Sequence, residues 1–323
     1  RLQDDSISFL FHCHPIHQAR FPVHSNDKES ILSPETLIRI KDLALMSRLA
    51  VEGYLTGRHK SLSKGYGGEF LQYRSYTPGD DPKYLDWKLF ARQDTYQMKV
   101  FQEETQMKTA ILLDASASMD YKGTQAPCTK FRYGQCIAAC LAYLALKQGD
   151  QVAIITYADS VLSMASSTQA NQSLSSMLAQ LEQIKPNGTA DHEKAWNYAQ
   201  NFLKGRGMAI LISDFHECEN SLPKLLRTIR FGQRDTIVMQ TLDQDEIKLP
   251  FLNSLKFIDS ETNAEIPTEP TLIAEFFQEK VRDFIDAIKS ECLTNQTDYL
   301  LANTSDNLAG ALNAFLNRRQ PAG

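Results

Sequence analysis

A chain of 323 residues, 42% hydrophobic and 23% charged, is long enough for one large domain, or one plus a smaller appendage, around a sizeable buried core. A formal charge of −5 argues against broad nucleic-acid binding, which needs a basic face. No apolar run approaches the ~18 residues of a membrane-spanning helix and no charged-then-apolar leader opens the chain, so a soluble, cytoplasmic protein is expected.

Residues 1–33 have weak periodicity and hold His12, His14, His17, His24 and Cys13. Their spacing matches no standard zinc finger, so a loose N-terminal segment without a metal site is expected. Ser33-Pro34-Glu35 then reads as an N-cap with proline at the first helical position, and the apolar face from Leu37 to Leu49 predicts a helix over about 34–50. Residues 53–107 change character, with a glycine-rich GYGGEF, a strand-like FLQYRSY, and TPGDDP suited to a tight turn. Too few apolar residues are present there for an independent core. The segment 34–107 is therefore read as a helix plus a small subdomain.

From residue 108 strands alternate with helices, which predicts an α/β domain over 108–323. Strands are expected at 96–102, 109–113, 151–157, 208–213, 235–241 and 297–301. Helices are expected at 130–148, 171–184, 191–204, 220–230, 272–290 and 306–317. Runs such as MAILIS and TIVMQTL lack period-two alternation, as parallel strands covered on both faces do, so an open, doubly wound, mostly parallel sheet flanked by helices follows. Residues 244–271 interrupt the alternation and read as a small β-rich insertion. Six cysteines lie scattered without CxxC pairs; Cys136 and Cys140 share one helical face, which suits reduced core residues.

In such sheets ligands bind beyond the carboxyl ends of the strands. Three expected rim positions carry oxygen side chains: Asp114-x-Ser116-x-Ser118 after the first strand, Ser213-Asp214 after the third, and Thr189 in PNGTAD before a helix. Carboxylates and hydroxyls without cysteine or paired histidine favour a hard cation, Mg²⁺ first and Mn²⁺ or Ca²⁺ next. Taken singly, such residues more often cap helices and close turns.

DASAS followed by Thr189 and Asp214 resembles the metal-ion-dependent adhesion site of von Willebrand factor A-like domains. Upstream, GEFLQYRSYTPGDDPKYLDWKLFARQDTYQMKVFQEE resembles the hallmark segment of the bacterial family known as domain of unknown function 58. Together these features cover about residues 53–243. The resemblance implies direct metal ligation by Ser116 and Ser118, with Asp114, Thr189 and Asp214 binding directly or through water, and an acidic side chain of a partner filling the open position. It also implies a protein partner, a MoxR-type AAA+ ATPase or its client. No GxxxxGK[ST] loop is present, so that ATPase is expected on another chain.

Within the hallmark segment, Arg74, Asp80, Asp81, Asp86, Trp87 and Arg92 form a polar-aromatic set, with Glu103 nearby. It suits either a docking face, with Trp87 as anchor, or internal pairing that fixes an irregular subdomain with Trp87 as packing. An enzyme finds less support. A haloacid dehalogenase would need a second acid where Ser116 stands, and a serine hydrolase built from Ser116 or Ser118 with His216 and Asp214 lacks GxSxG. His192 is a helix-start residue. The function expected is a non-catalytic, metal-dependent protein-interaction module; the alternative is a metal-assisted hydrolase of a phosphate or ester at the same rim.

Overall fold

A computed structural model describes residues 11–13, 38, 40–57, 70–77, 85–93, 95–101, 107–167, 173–204, 207–216, 218, 221–232, 234–250, 255–259, 265–268 and 270–319. Two compact units emerge, one of residues 58–106 and one of residues 1–57 with 107–323. In the smaller unit β2 (Phe70–Ser75) and β3 (Gln97–Phe101) pair antiparallel, with α2 (Trp87–Gln93) between them in sequence. There Asp86 accepts hydrogen bonds from the Lys88 and Leu89 amides at 3.0 and 3.1 Å, capping α2, and from the Tyr73 hydroxyl at 2.9 Å.

The larger unit contains β1 (Phe11–Cys13), α1 (Leu43–Gly57), β4 (Lys108–Asp114), α3 (Lys130–Lys147), β5 (Gln151–Tyr157), β6 (Val161–Ser167), α4 (Ser173–Glu182), α5 (His192–Phe202), β7 (Gly207–Ser213) and α6 (Leu222–Phe231). It continues with β8 (Asp235–Leu242), α7 (Gln244–Lys248), β9 (Leu255–Asp259), β10 (Glu265–Thr268), α8 (Pro270–Thr294), β11 (Asp298–Asn303) and α9 (Ala309–Arg319). Six strands form the main sheet in the order β11-β8-β7-β4-β5-β6, parallel except for β6, which pairs antiparallel with β5 at the edge. The α/β class and the mostly parallel sheet expected from the alternating apolar runs are what the chain adopts.

The strand period of two explains why both faces are dry. Along β4, Ile111 and Leu113 join one buried cluster with α1, α3, α4 and α9, whereas Ala110 and Leu112 join the other with α5, α6 and α8. Each fully buried aliphatic side chain of this kind contributes about 1.5–3 kcal/mol. Trimming Ile111 by one methyl group, as Ile111→Val, is expected to lower unfolding free energy by about 1 kcal/mol with an unchanged denaturant slope, read by chemical denaturation.

Several elements differ from the sequence reading. The described helix near the N-terminus is α1, which ends at Gly57; the expected start at Ser33-Pro34 lies outside the described residues. Strand β6 was not anticipated, because VLSMASS carries only a weak apolar pattern, as an edge strand does: its residues are mostly half-buried or exposed. Residues 244–271 begin with helix α7 before the antiparallel pair β9–β10, and β1 adds to β9, so part of the expected loose segment pairs as a strand. Helix α8 runs to Thr294 rather than stopping near 290. Cys136, Cys140, Cys218 and Cys292 are buried free thiols, in keeping with reduced core residues. Among the described residues no helix is long and apolar enough to cross a membrane.

Candidate metal centre

The carboxyl ends of β4 and β7 lie side by side because the two strands pair in parallel register, Leu113 opposite Ile212. That geometry brings Asp114 beside Ser213, whose hydroxyl donates to Asp114 Oδ2 at 2.6 Å. The other carboxylate oxygen, Oδ1, accepts from the Ser116 amide at 2.8 Å. A short 3₁₀ turn, Ala117–Asp120, then folds Ser118 back so that its hydroxyl lies 3.0 Å from that of Ser116. Asp114, Ser116, Ser118, Ser213 and Asp214 are all buried.

The loop bearing Thr189 is tied to the same turn by two backbone bonds, Asn187 amide to Ala115 carbonyl and Ala117 amide to Gly188 carbonyl, each 2.8 Å. Gly188 has φ +73°, a left-handed conformation that L side chains rarely adopt, so the loop turns there and leaves Thr189 exposed. The Asp191 side chain then caps α5 by accepting from the Lys194 amide at 2.9 Å.

After β7 the backbone takes a second uncommon turn. Phe215 has φ +57°, and its amide donates to Ser213 Oγ at 2.9 Å. This turn lets the His216 amide donate to Asp214 Oδ1 at 3.2 Å. On the far side of Asp214, the buried Lys130 ammonium donates to Oδ2 at 2.8 Å and to Glu246 Oε1 at 2.7 Å. His216 Nε2 lies 3.4 Å from Asp214 Oδ2 and 3.7 Å from Glu246 Oε1, within ion-pair range but without hydrogen-bond geometry. His192 Nδ1 is 2.8 Å from the Tyr157 hydroxyl, its ring stacks on Phe215, and its Nε2 is buried without a hydrogen-bond partner among the described residues.

The two carboxylates are electrostatically unequal. Burial raises the Asp114 pKa, the neighbouring Asp214 charge raises it further, and His192 with the hydrogen bonds from Ser213 and Ser116 opposes the rise. For Asp214 burial again pushes upward, but His216 and Lys130 outweigh it and hold the carboxyl well below the usual range. Asp114 thus carries a buried acid with no salt bridge among the described residues, a place where an added cation would be favourable.

The donor chemistry fits a hard divalent ion: two carboxylates and adjacent hydroxyls, with no thiol or imidazole required. Among the described residues no group of three or more His, Cys, Asp and Glu is arranged as a metal site. A set built mainly from serine hydroxyls and two acids falls outside that pattern. Asp114, Ser116, Ser118 and Asp214 are brought together, and the Thr189 loop adjoins their turn. Sequence reasoning left out Lys130 and Glu246. Their signals were a lysine directly after the N-cap of an apolar helix and an acid-rich DQDE directly after a strand.

Of the hallmark residues, Asp86 is buried as the cap of α2, while Arg74, Trp87 and Arg92 are exposed. Trp87 is 59% exposed, and its ring meets that of Phe90 in a T-shaped contact with centroids 6.4 Å apart. Asp80, Asp81 and Glu103 lie outside the described residues.

An uncharacterized protein of Mycobacterium tuberculosis and another of Mycobacterium bovis are each 26% identical to this chain over 248 residues, covering 75% of it and 77% of the relative. Among solved structures, the chain is similar to the conserved hypothetical protein BatB from Bacteroides thetaiotaomicron (TM-score 0.43, 15% identity, 65% of this chain and 96% of that one). It is also similar to an aerotolerance-related membrane protein from Bacteroides fragilis (0.41, 17%, 66% and 98%) and to the SpRpn10 VWA domain (0.38, 16%, 65% and 95%). The pattern of the protein family of unknown function DUF58 matches residues 72–284, well over half of the sequence, and the chain belongs to that family.

Proposed function

We propose that this protein is a non-catalytic, von Willebrand factor A-like interaction module that grips an acidic side chain of a partner through a divalent cation, Mg²⁺ first. Asp114, Ser116 and Ser118 would hold the ion, with Asp214 and Thr189 contributing directly or through water. The ion would supply a charge-assisted contact to the partner's carboxylate, and the surrounding rim a complementary surface. The observation that supports this reading is the buried pair Asp114 and Asp214 at the strand ends, where the resident ammonium is committed to Asp214 and Glu246 and leaves Asp114 without a salt bridge among the described residues. The family resemblance suggests a MoxR-type AAA+ ATPase or its client as the partner.

We read the site as one for binding rather than catalysis. The Ser116 hydroxyl faces that of Ser118, the Ser213 hydroxyl faces Asp114, and His192 faces Tyr157, so no serine is bonded to an imidazole among the described contacts.

Calorimetric titration of chelator-treated protein with Mg²⁺, Mn²⁺ and Ca²⁺ tests the reading. Saturable binding is expected, followed by metal-dependent capture of an acidic peptide or of a purified MoxR-type ATPase. Absence of binding by all three ions, or metal-dependent turnover of a phosphate or ester, would overturn it.

A further inference from the structure

Lys130 is the first residue of α3, after its cap Thr129, and its side chain is fully buried. Two electrostatic penalties meet at that position. A cation at a helix N-terminus opposes the macrodipole, and burial disfavours an ammonium. A neutral side chain of similar length would avoid both and keep the packing against Tyr121, whose ring lies 5.9 Å from Nζ.

What the lysine gains instead is two carboxylates. Nζ lies 2.8 Å from Asp214 Oδ2 and 2.7 Å from Glu246 Oε1. Asp214 is thereby held on both sides, by the ammonium at Oδ2 and by the His216 amide at Oδ1. Glu246 is fixed in turn, because its other oxygen accepts from the Asp243 amide at 2.8 Å in the capping box of α7. The ammonium therefore sits on a rigid support at the edge of the oxygen cluster.

We propose that Lys130 is a tethered counter-cation that sets the metal affinity of this site: by claiming Asp214 it keeps that acid from full service to the ion, and its own charge repels the ion. The inference rests on the metal-binding reading above. A dication bound beside a fixed ammonium is held weakly by the protein alone, so a partner's carboxylate makes the larger difference. Lys130 touches no partner in this scheme; it acts through Asp214 as a positioning residue.

The test compares full-length wild type, Lys130→Met and Lys130→Arg by calorimetric titration with Mg²⁺ and Mn²⁺, and by thermal unfolding in chelator and in saturating metal. Lys130→Met is expected to bind metal at least about tenfold more tightly, since a repelling charge is gone and Asp214 is released. In chelator its midpoint is expected to fall by roughly 6 °C or more, because a buried acid has lost its partner. Saturating metal should restore most of that loss, and Lys130→Arg should keep wild-type affinity.

Unchanged or weaker metal binding by Lys130→Met, with the same loss of midpoint in chelator and in metal, would overturn the inference and leave Lys130 a structural ion-pair residue. Should Lys130→Met fail to fold in either condition, the charge-balanced double variant Lys130→Gln with Glu246→Gln carries the same comparison, and tighter binding is again expected. A wild type that binds no metal, together with a Lys130→Met protein that binds none, refutes the metal reading itself. A wild type that binds while Lys130→Met shows no gain refutes only the role of Lys130.

Discussion

Asp114→Asn is expected to make the metal-free protein more stable by about 1–3 kcal/mol while weakening divalent-cation binding by about 100-fold or more. The substitution conserves shape. Its amide oxygen still accepts from the Ser116 amide, and its NH₂ can donate to Ser213 Oγ, which has lone pairs for both that group and the Phe215 amide. What it removes is a buried charge that burial and Asp214 both oppose. The pH dependence has a definite sign. Well below the ordinary carboxyl value of 3.8 the folded and unfolded chains both hold the proton, and wild type and variant differ little. As pH rises, the unfolded chain releases its proton first, so wild-type stability falls until the raised folded value is passed, and the gap to Asp114→Asn is then constant. Urea unfolding in chelator at several pH values, paired with calorimetry, reads both effects. An Asn variant less stable than wild type at neutral pH would show that the carboxylate is already neutralised by the protein.

The second large effect lies behind the rim. Asp243 is fully buried and accepts from the Gly123 amide at 3.1 Å, the Asp245 amide at 3.0 Å and the Thr304 hydroxyl at 2.7 Å. It thereby ties the loop after the Ala117–Asp120 turn, the start of α7 and the end of β11 to one carboxylate. Asp243→Ala strands buried donors on all three and is expected to cost about 3–5 kcal/mol, measured by denaturant unfolding. Gly123→Ala attacks the same junction from the other side, because a Cβ there would overlap the Asp243 carboxylate. Both variants displace Glu246 and with it one partner of Lys130, so metal affinity should shift even though neither residue is a candidate ligand. A stability change under about 1 kcal/mol for Asp243→Ala would mean that water replaces the carboxylate at this junction.

The parallel strands were legible because burial on both faces leaves continuous apolar runs, as in GMAILIS and DTIVMQTL. Asp114, Ser116 and Ser118 were legible because a short local motif needs no tertiary knowledge beyond the end of a strand. Lys130 and Glu246 were not, since their meeting depends on α3 and α7 converging across 116 residues of sequence. Strand β6 escaped for the opposite reason: an edge position asks little of its side chains, so VLSMASS leaves a faint pattern. Trp87 shows a third case. Its residue type fits packing and docking equally well, and the sequence does not reveal that its ring is both in contact with Phe90 and more than half exposed.

The loop crossing from Ala115 to Asn187 and the bonds from Ser213 to Asp114, across 99 residues, and from Lys130 to Asp214, across 84, mean that no short continuous fragment of the chain contains the oxygen cluster. Contacts of such long sequence separation form late and together, after the loop-closure entropy between them has been overcome. An ion that needs all of these groups would then bind only finished molecules, so its uptake would report the completion of folding as well as readiness for a partner.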